Sequence, residues 1–383
     1  MSHESHDLSD ATLRLLLAPG LGPVTLGKLE AKFGSHDRAA SATVRELTQI
    51  EGIGPTTASS IRSAVDQAQP AQEREEMAKA SVRLILRGDD DYPVLLAAIP
   101  NPPTALWIRG EFTDADRLAV AIVGSRRCTA YGREQAGRFA SLLAQCGLTI
   151  VSGGALGIDG EAHRGALRVH GRTIAVMGCG LARSYPSQHA ELFDRIVAEG
   201  GALLSEYPMQ TEPKGDHFPH RNRIISGLSL GVLVIEAAIR SGALITARKA
   251  VEEQGREAMA LPGRVDSPAS AGCLGAIREG WAALVTSHAD VLNQLDASSH
   301  LVRGALEAAG HESATSATTL FDQNLTTGQQ SIVDALREAD GHMIVEHLAA
   351  KTQLPLSQVQ ADLTLLQIRG HVHRDHQGVH LRR

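Results

Sequence analysis

The 383-residue sequence predicts an α/β protein: a doubly wound, mostly parallel sheet with a small module at each end. Three observations predict it. From residue 118 short apolar runs alternate with helical patterns, as strand and crossover helix do. Near the N-terminus a Gly-(Leu or Ile)-Gly-Pro turn occurs twice, and the C-terminal stretch reads as helix, turn, helix and hairpin.

Residues 1–75 form the first unit. Gly20-Leu21-Gly22-Pro23 and Gly52-Ile53-Gly54-Pro55 are each followed by a helical pattern, which looks like a pair of helix-hairpin-helix motifs in a SAM-like module. Such glycines turn the backbone tightly and leave amides free for a phosphate. Few basic residues flank the turns, so a purely structural module is an equal reading. "GPVTLGKL", Gly22 to Leu29, nearly spells a phosphate-binding loop, but Leu29 stands where a Mg²⁺-binding Ser or Thr belongs, and no strand precedes it.

Residues 78–297 form the second unit. After a polar stretch near 70–78, "VRLILRGD" and "TALWIRG" read as strands around a Pro-rich segment. Further strands are expected at 119–124, 148–152, 173–178, 202–205, 232–236, 257–261 and 282–286, with helices such as 132–145, 187–199 and 242–254 between them. That is an extended Rossmann-like sheet, whose ligands bind at the carboxyl ends of the strands. A Ser-, Thr- and Ala-rich linker spans 298–325, and 326–383 has the pattern of a winged helix.

Composition narrows the function. Hydrophobic residues make up 43% and charged residues 21%, as in a globular protein, and the net charge of −6 excludes a generally basic nucleic-acid coat. Any polyanion must be held by a local patch. Cys128, Cys146, Cys179 and Cys273 form no C-x-x-C pair, fitting reduced thiols in the cytoplasm. No signal peptide or membrane span is expected. His371, His373, His376 and His380 lack the Cys or carboxylates that would complete a metal site, so they read as solvated residues of the hairpin.

The strand ends carry the chemistry. The first turn, Gly124-Ser125-Arg126-Arg127, starts like a nucleotide-binding turn and then supplies arginines in place of glycines. Ser152-Gly153-Gly154 turns toward a helix start. Lys214, Phe218, Arg221, Asn222 and Arg223 precede or open another helix, and Arg240, Ser241, Gly242 and Thr246 open a third. Between His217 and Ala250 stand five Arg or Lys (221, 223, 240, 248, 249) against one acid, Glu236. Guanidinium groups grip phosphate bidentately, and several together suit a chain of phosphates.

These segments, with "SGGALGIDGEAH", "FPHRNRIISGLS", "SGALITARKAVEEQGREAMALPG", "YPVLLAAIPNPPTALWIRG" and "IREGWAALVT", resemble the DNA-processing protein A family, DprA or Smf, over roughly 85–290. The resemblance implies a cytoplasmic single-stranded DNA binder that is not an enzyme and needs no cofactor. It implies dimerisation through the Rossmann core and loading of the RecA recombinase onto strands taken up in natural transformation. It assigns the DNA pocket to Ser125, Arg126, the Ser152–Gly154 turn and the Phe218–Arg223 segment, with Phe218 as the base-stacking ring or, equally, a core residue. One departure is Gly272-Cys273-Leu274, where the family tends to have an asparagine. Two rivals stand beside this reading. A nucleotide phosphoribohydrolase would need a carboxylate after Thr246, where Arg248 and Lys249 stand. A nucleotide-sensing transcription regulator would read duplex with Leu356–Gln367, which has no Lys or Arg.

Overall fold

The structure is a computed structural model, and it describes residues 9–19, 21–295, 325–339, 341–368, 371–375 and 378–381. Six helices come first: α1 (Asp10–Leu17), α2 (Pro23–Phe33), α3 (His36–Ala40), α4 (Val44–Leu47), α5 (Pro55–Gln67) and α6 (Pro70–Lys79). Pro23 and Pro55 each begin a helix, where the missing N–H costs nothing. That is why the twice-repeated turn marks helix starts; its Gly20 lies outside the described residues. "GPVTLGKL" runs into α2, which leaves no loop to cradle a phosphate. Leu15, Leu29, Leu47 and Ile61 close a core of their own.

The polar stretch near 70–78 is not a bare boundary. It is α6, and its Glu73 is buried, accepting hydrogen bonds from Trp107 Nε1 at 2.8 Å and the Met209 amide at 2.9 Å. Helix α6 is thereby fastened to the sheet.

The sheet has nine strands: β1 (Val82–Leu86), β2 (Ala105–Gly110), β3 (Ala119–Val123), β4 (Thr149–Gly153), β5 (Thr173–Met177), β6 (Ala202–Ser205), β7 (Gly231–Val234), β8 (Glu257–Ala260) and β9 (Ala283–Leu284). Their order is β1-β2-β6-β5-β4-β3-β7-β8-β9. Strands β3 to β9 run parallel, and β1 and β2 are antiparallel additions at one edge. The chain winds outward from β3 to β6, then returns to β3's other side as β7. Loops after β3 and β7 therefore diverge, opening a crevice where ligands bind on such sheets.

Helices around the sheet include α7 (Val94–Ala97), α10 (Ala190–Ala198) and α13 (Ala271–Arg278), and side-chain alternation fixes the two faces. Ala119, Ala121 and Val123 of β3 pack with Val232 and Val234 under α11 (His217–Gly227) and α12 (Gly242–Gln254). Val120, Ile122, Leu233 and Ile235 face the other way, against α8 (Ala130–Gln145) and α9 (Ile158–Leu167). Strands buried on both sides lose the polar half of the pattern, which is why they read as continuous apolar runs.

The C-terminal unit comprises α14 (Thr327–Arg337), a strand β10 (His342–Met343), α15 (Val345–Thr352), α16 (Leu356–Ile368), and the strands β11 (Val372–Asp375) and β12 (Gly378–Leu381). The three strands form an antiparallel sheet in the order β10-β12-β11. Ala361 and Leu365 of α16 join the cluster that includes Leu143, Val291 and Leu295. The expected linker at 298–325 lies outside the described residues save for Leu325, and His376 lies outside them entirely.

Candidate nucleic-acid interface

The carboxyl ends of the parallel strands form one rim, and the expected residues gather there, at and after the ends of β3, β4, β6 and β7, at two depths. Arg126, Arg127, Lys214, Arg240 and Gly242 are exposed, while Ser152, Gly153, Gly154, Arg221 and Thr246 are buried. Arg126, Arg127, Lys214 and Arg240 join no ion pair among the described residues, although the Arg126 charge is felt by the buried Asp159 carboxyl.

Turn 124–127 is held from below. The Ser125 amide donates to Glu236 O at 2.8 Å, and Ser125 Oγ accepts from the Arg127 amide at 3.1 Å. Gly157, at φ +84°, starts α9 directly against this turn; a Cβ there would lie 2.3 Å from Ser125 O. Only glycine fits, because both the dihedral and the space exclude a side chain. Arg126 then extends over the Phe218 ring at 4.9 Å, a cation–π distance, joining the turn after β3 to the start of α11. Phe218 is half-buried, packed on the backbone of Gly178, where a Cβ would meet its ring at 2.7 Å.

Beneath lies a buried charged layer. Arg221 donates to Val176 O and, at 3.1 Å, to Asn222 Oδ1. Asn222 donates in turn to Thr246 Oγ1 at 2.7 Å, and Thr246 to Gly242 O at 2.9 Å. Arg221 Nη2 and Asp159 Oδ2 both press on Gly153, each 2.6 Å from where a Cβ would stand. Burial raises the Asp159 carboxyl to about 7, opposed by the charge of Arg221, and lowers Arg221 to about 10. Arg221 stays charged at neutral pH, with Asp159 as its acidic neighbour beneath the rim. His163 bridges Gly153 O at 3.0 Å and the Thr173 hydroxyl at 2.7 Å, and burial lowers it to about 4.

Several sequence expectations change. Ser152 is fully buried and donates to Ile122 O at 2.6 Å, and Thr246 is likewise engaged, so neither hydroxyl faces the rim. Gly153 and Gly154 are glycines for close packing; Phe193 and Met177 crowd Gly154. Arg223 is paired with Glu206 at 2.5 Å, and Arg248 and Lys249 with Glu252 at 2.8 Å and Glu253 at 3.4 Å. The tally of five bases against one acid missed these partners because all three lie outside the window counted. Ser241 caps α12, accepting from the Leu244 amide at 3.3 Å. Glu236 pairs with no arginine among the described residues; its carboxylate fills the amino end of α8, bonded to Thr129.

Sequence reasoning also missed Tyr185. It lies on the loop after β5, 43% exposed, with its ring 5.7 Å from that of Phe218. In a chain with two Trp, four Tyr and six Phe, an aromatic beside a strand end was the signal available. No group of three or more His, Cys, Asp or Glu among the described residues is placed to hold a metal. No described helix is long and apolar enough to cross a membrane.

Comparison with known proteins places this chain in a family. Residues 83–296 match the family model for DNA recombination-mediator protein A, and residues 12–66 match that for a SAM-like helix-hairpin-helix tandem. Protein Smf of Synechocystis sp. is 36% identical over 377 residues, which is 93% of this chain and 94% of that one. The structure of DprA from Streptococcus pneumoniae is similar with a TM-score of 0.64 at 36% identity, covering 75% of this chain and 98% of its own. A structure of DNA processing protein A from Helicobacter pylori, described for its single-stranded DNA binding mode, has a TM-score of 0.50 at 29% identity and covers 56% of this chain and 95% of that one. With its rim on a mostly parallel sheet, its helical N-terminal module and a family match over more than half its length, this chain belongs to the DNA recombination-mediator protein A (DprA/Smf) family.

Proposed function

We propose that the protein binds single-stranded DNA along the strand-end rim without regard to sequence, as one step in processing strands taken up in transformation. One observation carries the reading: Arg126, Arg127, Lys214 and Arg240 are exposed on loops after β3, β6 and β7 and have no acidic partner among the described residues. Phosphate contacts position a strand and carry no base information, so a row of them gives affinity without sequence preference. The binding mode for which the Helicobacter pylori relative is described supports the same polymer.

The finer parts of the proposal follow the family. The protein protects the strand and helps load the RecA recombinase onto it, acts in the cytoplasm as a homodimer through the Rossmann core, and performs no catalysis. Its C-terminal unit is a winged helix used for protein contact. Burial of α16 residues Ala361 and Leu365 against the sheet's outer layer supports that use, since it leaves only the uncharged first turns of the helix, with Leu356, Gln358 and Gln360, exposed. The rim's carboxylates weigh against a hydrolase: Glu236 is tied to Thr129, Glu206 to Arg223, and Asp159 is buried below Gly153.

The test is a binding comparison between oligo-dT and a matched duplex across a salt series. Tighter binding to oligo-dT, weakening with log salt by a slope of about −0.7 per phosphate contact, is expected. No binding to oligo-dT at low salt, or a preference for one duplex sequence, overturns the proposal.

A further inference from the structure

We infer that Tyr185 is a seat for an unpaired nucleobase, next to Phe218 and outside the set of residues the sequence pointed to. The inference rests on the single-strand reading of the rim. Its loop, between β5 and α10 (Ala190–Ala198), belongs to the same strand-end row as Arg126 and Lys214.

Three observations single out this ring. Tyr185 is 43% exposed, an unfavourable place for an aromatic face unless something covers it. Tyr131 is exposed to a similar extent, 42%, but ties its hydroxyl to Pro262 O at 3.0 Å; the Tyr185 hydroxyl has no such partner among the described residues. Lastly, Phe218 is already in use. Gly178 backs its ring, Arg126 stands over it at 4.9 Å, and the Arg221 guanidinium lies 6.0 Å away. No cation stands over Tyr185 among the described residues. Of the two neighbouring rings, Tyr185 is the one open to a base without first moving an arginine.

The spacing also bears on selectivity. The two ring centroids are 5.7 Å apart and tilted by 33°. Stacked bases rise by about 3.4 Å per nucleotide, so a base that lays its face on the Tyr185 ring must leave the stack with its neighbour. An unpaired strand does this freely, whereas a duplex must first break pairs. Stacking on Tyr185 thus adds affinity for any base and selects against duplex, complementing the phosphate contacts of the arginines.

The experiment compares the full chain with Tyr185→Ala, Tyr185→Leu and Tyr185→Phe on oligo-dT and on an abasic strand of equal length, over a salt series. Stacking on an aromatic side chain supports a loss of at least about fivefold on oligo-dT for Tyr185→Ala and Tyr185→Leu, with Tyr185→Phe close to the parent. The salt slope should be unchanged, and on the abasic strand all four proteins should bind alike. Parental affinity of both Tyr185→Ala and Tyr185→Leu for oligo-dT, or equal losses on the abasic strand, overturns the inference while leaving the rim intact. Failure of the parent itself to bind oligo-dT removes the single-strand reading and this seat together.

Discussion

Glu236, just beyond β7, accepts hydrogen bonds from both the backbone N–H and the hydroxyl of Thr129, each at 2.7 Å. Thr129 caps α8, so a fixed internal carboxylate stands at the helix end where a Rossmann fold would hold pyrophosphate. Glu236 is 2% exposed, and a Cβ on Gly132 would lie 2.6 Å from its Oε2. The dinucleotide position is filled from within, so the proposed strand-binding rim rests on Arg126 and its neighbours instead. Glu236→Gln should cost about 1.5–3 kcal/mol, the usual range for a hydrogen bond to a charged group. Gly132→Ala should cost a similar amount by overpacking. Urea unfolding of both variants measures this.

Charge alone does not decide which arginines matter. Arg126 has no acidic partner among the described residues, whereas Arg248 is paired with Glu252 at 2.8 Å. Arg126→Ala should weaken binding to every single-stranded sequence alike and flatten the salt slope by about 0.7. Arg248→Ala should leave both unchanged. Titrations of the two variants against oligo-dT at several salt concentrations check the contrast.

Two buried groups give the fold opposing pH dependences. Burial raises Asp159 from 3.8 to about 7, so the folded protein holds this proton more tightly than the unfolded chain. Its contribution is complete below pH 3.8 and is lost as pH rises through 7. His163 is lowered from 6.5 to about 4, again by burial, so its contribution is complete above 6.5 and is lost as pH falls toward 4. Asp159→Asn should therefore gain stability relative to the parent as pH rises from about 4 to 7, and His163→Gln should gain relative to the parent as pH falls from about 6.5 to 4. Urea midpoints measured across that range test both signs.

Glu73 fastens the N-terminal helices to the sheet through Trp107 Nε1 and the Met209 amide. Glu73→Ala leaves two buried N–H groups unpaired and should cost about 1–3 kcal/mol. Glu73→Gln keeps an acceptor and should cost less. The indole of Trp107 reports the change directly, so tryptophan emission and a urea curve together check it.

The fold was more legible than the site. Five of the seven strands expected between 119 and 286 match the observed ones within a residue or so; β7 is shifted slightly and β9 shortened to Ala283–Leu284. Alternating apolar runs are a local signal, and strand identity needs little else. Site residues were harder to read. Arg223 looked free because its partner Glu206 precedes the helix by a loop, and Ser152 looked available because its acceptor, Ile122 O, is on another strand. Both are contacts between segments distant in sequence.

By itself, then, the sequence determined the alternation of strands and helices, the two G-P helix starts and the presence of an arginine-bearing turn after β3. Those follow from side-chain periodicity and backbone restriction within a few residues. Only tertiary structure decided which charges are free. Bringing β7 beside β3 sets Glu236 against Thr129 across a separation of 107 residues, and packing α11 over β5 places Phe218 under Arg126. The physical reason is that a charge's role depends on what neutralises it, and its neutralising partner is chosen by strand order.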